Sequence, residues 1–466
     1  MTLSAVRRPT PHERAQQRLL GQYAAIPPGQ PVRLAKRTSN LFRNRTATQQ
    51  PGLDVSGLDR VLSVDPVART ADVQAMTTYE HLVDATLTHG LMPLVVPQLK
   101  TITIGGAVTG LGIESSSYRN GLPHESVREL EILTGAGEVV VATPDGEHAD
   151  LFRTFPNSYG TLGYALRMSI ELEPVKPFVM LRHVRFSDLD EVQRTIASTV
   201  ASGQYDGQPV DFIDGTMFSP DEVYLTLASW ADEAPYSSDY TGQQIYYRSL
   251  QHRSVDFLTV HDSRWRWDTD WFWCSRAFGA QNRWARRVWP RRYLRSDVYW
   301  KMVAFEDRHH VSRWVDDRKG RPRRERVIQD VEIPVDRTAD FLRWFDREVP
   351  IEPVWLCPIQ LRPHAREQAG VQTWPLYPLE PGQLYVNVGF WSTVAIEPGR
   401  QDGDVNRAVE AEVDAVGGHK SLYSDAFYSR EEFAKRYGGD AYAAVKRQYD
   451  PQGRLLDLYD KAVRNR

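Results

Sequence analysis

The residues best suited to chemistry lie in one stretch, ITIGGAVTGLGIESSS at 102–117, where Gly105, Gly106, Gly110 and Gly112 fall within eight positions. A backbone with few Cβ atoms can approach a diphosphate closely and turn several N–H groups toward it. Ser115, Ser116 and Ser117 would add hydroxyl donors beside those amides. The spacing is neither the GxGxxG of a dinucleotide-binding turn nor the GK[ST] of a phosphate loop. Taken alone, a glycine-rich turn is more often plain structure than a phosphate cradle, and the serine run reads equally well as a capped turn. Regular helix or strand is disfavoured there, because glycine loses more backbone freedom on ordering than any other residue.

The flanking pattern says what could hold this stretch in place. Val61, Leu62 and Val64 precede Asp65-Pro66, and Ala71, Val73 and Ala75 alternate with polar neighbours, which predicts two short strands. Thr77 or Thr78 caps a predicted helix with Tyr79, Leu82, Val83 and Leu87 on one face and Gly90 at its end. An apolar strand follows over 91–96. Residues 130–133 and 139–141 form a hairpin about Gly135-Ala136-Gly137, and Leu166, Met168, Ile170 and Leu172 alternate up to Pro174. The character changes near 177. Strands are expected over 178–186, 210–218, 223–230, 327–335, 354–361 and 384–391, with a helix carrying Leu189, Val192, Ile196 and Val200 that stops at Gly203. Helices are expected over 405–416, 430–437 and 441–449. The fold class is α+β, divided as 1–176, 177–420 and 421–466.

Composition narrows the function classes. The chain has 466 residues, enough for two or three domains, with 41% apolar and 25% charged residues, as in ordinary globular proteins. A formal charge of −3 argues against a general nucleic-acid binder. Two cysteines, Cys274 and Cys357, offer no disulfide framework and suit a reducing compartment. The adjacent His309-His310 lacks zinc-site spacing, and no metal is expected. The N-terminal residues lack the apolar run of a signal peptide and no uncharged stretch is long enough to span a bilayer, so a cytoplasmic protein is expected, peripheral at most to the inner face of a membrane. Aromatic content is high, with 13 Trp and 21 Tyr. Between 264 and 295 Trp is dense among Arg, which admits three readings: a cap with Trp in its core and Arg in solvent, a membrane-interfacial surface, or a stacking surface for nucleic acid. The first is the plainest and the near-neutral charge makes the third weakest.

Six segments, in order along most of the chain, carry a more specific signal: 95–122 (VVPQLKTITIGGAVTGLGIESSSYRNGL), 151–163 (LFRTFPNSYGTLG), 327–335 (VIQDVEIPV), 353–363 (PVWLCPIQLRP), 384–390 (LYVNVGF) and 422–433 (LYSDAFYSREEF). Together they resemble the PCMH-type flavoproteins of the vanillyl-alcohol oxidase superfamily, and within it the Δ24-sterol reductase branch. The resemblance implies non-covalent FAD. It would place Thr103, Ile104, Gly105, Gly106, Gly110 and Gly112 along the pyrophosphate and ribityl chain, with Glu114, Ser115, Ser116 and Ser117 following and Gly160, Thr161 and Gly163 supporting the adenosine. There is one departure. The superfamily's glycine-rich N-terminal loop, often with a histidine that bonds the flavin, is replaced by RLAKRTSNLFRNR at 33–45, so Arg37, Thr38, Ser39 or Asn40 would have to supply the missing contacts.

The branch reduces an isolated lipid alkene, which no carbonyl polarises. Protonation of one carbon must therefore create a tertiary cation that then accepts hydride, and this requires a placed acid in an apolar, water-excluding pocket. Candidate acids or relays are Asp330, Glu332, His261, Tyr423 and Tyr428; for each alone, a solvent-facing carboxylate or a packed tyrosine is the commoner fate. The likeness extends to actinobacterial reductases that convert 10-methylene to 10-methyl fatty acyl chains in tuberculostearic acid synthesis. It implies NADPH as electron donor, a lipid substrate and a partner methyltransferase. A Δ24-sterol substrate, a flavin oxidase or dehydrogenase of an alcohol or sugar, and a flavin-free binding protein are the alternatives.

Overall fold

The computed structural model describes residues 8–36, 42, 52–309, 318, 320–363 and 374–463. Two antiparallel sheets organise them. The smaller sheet runs Val61–Asp65, Thr70–Gln74, Tyr164–Pro174, Val127–Leu133 and Val139–Ala142, with the short strand Leu91–Pro93 also on Tyr164–Pro174. The larger has eight strands in the order Val255–Thr259, Phe178–Phe186, Glu222–Ala231, Phe212–Ser219, Val354–Ile359, Tyr385–Ala395, Arg324–Pro334 and His419–Lys420. The chain is α+β, and the crossing from one sheet to the other falls between Pro174 and Phe178.

Local chemistry explains most elements of the first sheet and its helices. Thr78 caps the helix Tyr79–Leu87 by accepting from the His81 amide, while Tyr79, Leu82 and Val83 face the core. A helix not foreseen, Pro11–Ala25, starts with a reciprocal Thr10/Glu13 capping box and packs Ala15, Leu19 and Tyr23 against Leu133 and Leu166. The glycine segment corrects the reading of it as irregular, since Ile104–Gly110 is helical. Gly105 tolerates this because its place is fixed by packing. A Cβ there would stand 2.7 Å from the Ala75 carbonyl oxygen, so only glycine lets the segment seat on the first sheet.

The eight-stranded sheet has two unlike faces. Val223, Leu225, Leu227, Val327, Val331, Ile333, Val386, Val388 and Phe390 bury against the helices Leu189–Ser202, Thr338–Glu348 and Asp404–Ala415. The alternate residues (Asp214, Thr226, Trp355, Cys357, Asn387, Gly389, Trp391, Ile328, Asp330 and Glu332) look the other way, as the strand registers require. That face meets the 264–300 segment and the first domain. The chain after 421 closes the structure: Leu422, Ala426, Phe433, Tyr437, Val445 and Tyr449 join the core of the first sheet.

Candidate active site

The site lies where the polar face of the large sheet meets the glycine segment. Strand register sets Asp330 opposite Gly389, Ile328 opposite Trp391, and Glu332 opposite Asn387. A Cβ on Gly389 would overlap the Asp330 carboxyl and come within 2.9 Å of the Trp391 ring. Glycine inside a strand here makes room for a carboxyl and an indole side by side. Asn387 Nδ2 donates to Asp330 at 3.3 Å, Trp391 Nε1 donates to the Tyr423 hydroxyl at 2.8 Å, and that hydroxyl also neighbours Asp330.

Although their strand is paired on both sides, Ile328 and Asp330 keep some accessible surface, as do Trp391, Tyr423, Leu99 and Ile113. Phe42 stacks on Trp271 and Trp300 at ring-centre distances of 5.6 and 5.0 Å, and its edge meets Tyr423. Trp391 packs on Phe272 and Trp273. These side chains form one aromatic cluster, and Asp330 stands at its edge beside Tyr423 and Trp391. Burial, opposed by hydrogen bonds from Asn387 and Tyr423, pushes its pKa up to about 7. Glu332, two residues along the same face, accepts from Ser421 at 3.2 Å and has Tyr377 beside it. Burial, then the Asp330 charge, raises Glu332 well above the carboxylate range. Asp330 is thus poised to gain or lose its proton near neutral pH, while the fully buried Glu332 beside it is pushed toward its neutral form. His419, in edge contact with Tyr377, is held neutral, with burial lowering its pKa to about 3.

Two of the other proton-donor candidates are corrected. His261 lies at the surface between Asp84 and Asp262, both at 3.3 Å. Tyr428 packs with Tyr437 beneath the Arg436 guanidinium, in the C-terminal helical core. The bland reading of Asp330 and Glu332 as solvent-facing is overturned, because the face they occupy is covered by the first domain and the Trp-rich segment.

The flavin-contact candidates divide. Thr103 caps the helix Ile104–Gly110 through the Gly106 amide at 3.1 Å; the Ile104 and Gly105 amides donate to the Thr77 and Ala75 carbonyls. Those first amides serve protein, so the expectation that they hold a diphosphate is corrected. The bare flank of Gly106 fits better, with the Lys36 ammonium 3.8 Å from where its Cβ would be. The Gly110 carbonyl accepts from the Tyr159 hydroxyl at 2.7 Å, and Leu111 (φ 78°), Asn157 (60°) and Tyr159 (52°) hold positive-φ backbone around it. Gly112 packs on Pro97 and Pro123.

Glu114 and the three serine hydroxyls that follow it are engaged with protein. The Ser115 hydroxyl donates to Glu114, Ser116 donates to the Leu94 carbonyl, and Ser117 accepts the Glu114 amide. Glu114 itself pairs with Arg264 at 2.5 Å, both side chains 1% exposed. This run is a seam between the domains. Gly160, Thr161 and Gly163 form a tight turn: the Thr161 hydroxyl donates to the Ser158 carbonyl, and Gly163 (φ 146°) lies against Leu133. Arg37, Thr38, Ser39 and Asn40 lie outside the described residues. The plain reading of the Trp/Arg stretch holds for the buried Trp265, Trp267, Trp271 and Trp273 and for exposed arginines such as Arg287, but Arg264, Arg266 and Arg286 depart from it, buried against Glu114, Asp214 and Asp270.

These residues fit a flavin. Around the glycine segment, Thr77 Oγ1, Gln98 Oε1, Asn157 Oδ1 and Ser158 Oγ are buried without a protein partner. A polar ligand edge would satisfy such atoms, and Lys36 would offset phosphate charge. Sequence reasoning missed Lys36, Asn387, Gly389, Trp391 and Ser421. Of these only Gly389 left a signal, as a lone glycine inside a strand pattern.

Comparison with known proteins agrees. A family model described as an FAD binding domain matches residues 10–143. A Delta(24)-sterol reductase of Arabidopsis thaliana is 24% identical over 89% of this chain and 77% of its own length. The Homo sapiens Delta(24)-sterol reductase is 25% identical over 88% and 75%. A decaprenylphosphoryl-beta-D-ribose oxidase of Mycolicibacterium smegmatis is 36% identical over 27% of each chain. The chain carries a PCMH-type FAD-binding domain and is an FAD-dependent oxidoreductase with Δ24-sterol reductases among its relatives.

Proposed function

We propose that the protein uses NADPH-derived electrons to reduce an isolated carbon–carbon double bond on a lipid. The observation that carries this reading is a carboxyl poised to give up a proton near neutral pH, Asp330, set beside the aromatic cluster of Phe42, Trp271, Trp391 and Tyr423. When bound, reduced FAD supplies a hydride to the carbon left positive by protonation. Asp330 donates the proton, and Asn387 and Tyr423 hold its carboxyl in place. Trp391, Trp271, Phe42 and Ile328 exclude water and leave a cation no competing nucleophile. Solvent returns the proton to Asp330 after turnover, and the buried Glu332 beside it stays neutral.

A 10-methylene acyl chain and a Δ24 sterol alkene both protonate to tertiary cations, so one site serves either. The relatives' names support the sterol type. The acyl substrate, delivered after a partner methyltransferase has acted, is the reading we carry forward. Lipid analysis of cells lacking the protein tests both. Accumulated methylene-branched acyl chains support the acyl substrate, and altered sterols with unchanged acyl chains defeat it. Anaerobic bleaching of the flavin by NADPH is expected; rapid reoxidation in air without alkene turnover would instead make the chain an oxidase.

A further inference from the structure

Between Asp270 and Asp297 the chain carries seven arginines and no carboxylate, in a protein whose formal charge is −3. The fold sorts these arginines. Arg286 is buried on Asp270, and Arg295 pairs with Glu80 and Asp297. Arg291 meets Asp239 at the surface. Arg283, Arg287 and Arg292 are exposed and have no carboxylate partner among the described residues.

Large apolar groups stand among them. On the short helix Arg283–Val288, Trp284 and Val288 lie four residues apart, hence on one face, and are 71% and 80% exposed. Tyr293 is exposed beside them. The Arg283 guanidinium lies 5.8 Å from the Trp284 ring centre and that of Arg292 lies 4.8 Å from the Tyr293 ring centre. Aromatic rings flanked by arginines match a bilayer's headgroup layer, where rings settle among the glycerol groups and guanidinium ions meet phosphate.

We infer that this surface docks on a bilayer bearing anionic headgroups. Charge complementarity selects that occupant, because Arg283, Arg287 and Arg292 stand exposed around these apolar groups with no carboxylate partner among the described residues. Position supports it too. Trp289, directly after Val288, packs with Leu294 and Tyr299 in the aromatic cluster that also holds Phe42 and Trp271 and borders Asp330. No helix of the described residues is long and apolar enough to cross a membrane, so docking is peripheral. The inference rests on the proposed lipid substrate for its purpose: docking sets that cluster against the layer from which an acyl or sterol chain must be drawn.

Sedimentation with vesicles of phosphatidylcholine, with and without phosphatidylglycerol, tests it on the flavin-loaded full chain. Wild type should bind phosphatidylglycerol vesicles, and less so pure phosphatidylcholine or in high salt. Trp284→Ser with Val288→Ser, and separately Arg283→Glu with Arg287→Glu, should each weaken binding by roughly tenfold or more. Flavin absorbance, melting temperature and turnover of detergent-dispersed substrate should be unchanged in both. Vesicle binding by either variant equal to wild type overturns the inference, as does a wild type that ignores anionic vesicles. A dimer that the Trp284→Ser, Val288→Ser variant splits, with vesicle binding intact, would make the patch a face between copies and equally overturn it. Because vesicle binding is read without catalysis, loss of binding in the variants of a protein that reduces no alkene would leave the surface standing and remove only the reaction.

Discussion

At the residue scale the proposed reaction turns on Asp330, and three outcomes follow from how it is held. Asp330→Asn cannot donate the proton and should lower kcat by about 10²–10⁴-fold with flavin retained, as read by turnover against flavin absorbance. The wild-type carboxyl must be protonated to act, so kcat/KM should fall as pH rises through about 7. The same shift enters stability. A carboxyl raised by burial contributes stability below its unfolded pKa, and that contribution is lost as pH rises toward the folded value of about 7. Asp330→Asn should therefore flatten the decline of stability between roughly pH 4 and 7, measured by urea midpoints across that range. Gly389→Ala places a methyl group where the carboxyl and the Trp391 ring lie. It should cost about 1–3 kcal/mol and lower activity more than flavin binding, since Lys36 and the glycine segment are untouched. Asp330 could be named from the sequence, but not its surroundings. Asn387 and Trp391 reach it only through strand pairing across more than fifty residues of chain, and no local pattern encodes that.

The seam between glycine segment and cap is where elements meet. Glu114 follows the helix Ile104–Gly110, and Arg264 sits in the helix Val260–Trp265 of the second domain. Burial opposes ionisation of Glu114, but the Arg264 and Arg266 charges and the Ser115 hydrogen bonds outweigh it and leave its pKa below the usual range. Arg264→Met would strand that carboxylate in the interior and should cost about 3–5 kcal/mol. Adding Glu114→Gln should restore much of the loss, which a double-mutant cycle of urea midpoints will show if the two side chains act as a pair. Because Glu114 is depressed, the pair's contribution should vanish as pH falls below the ordinary glutamate range, and not at alkaline pH. Local pattern reads such elements well where capping and alternation are strong, as in Tyr79–Leu87, Tyr164–Pro174 and Leu189–Ser202. It fails for Ile104–Gly110, where tight packing on Ala75 outweighs glycine's entropic cost.

For the whole molecule, the polar face of the eight-stranded sheet lies against the layer that carries the glycine segment. Lys36 is the cation beside the glycine flank, so Lys36→Met should raise the FAD dissociation constant roughly tenfold, measured by titrating apoprotein, since a charge-assisted contact contributes about 1.5–3 kcal/mol. Alternation and turn chemistry were enough by themselves to determine the α+β class and the strand that carries Asp330, whereas the flavin domain was legible only through the resemblance of its ordered segments to a known family. The class and the strand depend on side-chain periodicity and turn chemistry, which are local. Only the tertiary structure decided which polar groups would be spent on protein and which would face a ligand. Glu114 and the three serines resemble phosphate contacts in sequence, yet Arg264, Leu94 and one another satisfy them. Asp330 resembles a surface carboxylate, yet Tyr423, Trp391 and the Trp-rich segment close over it. The physical reason is the same in both cases: desolvation and pairing are set by neighbours distant in the chain, and only folding brings those neighbours within reach.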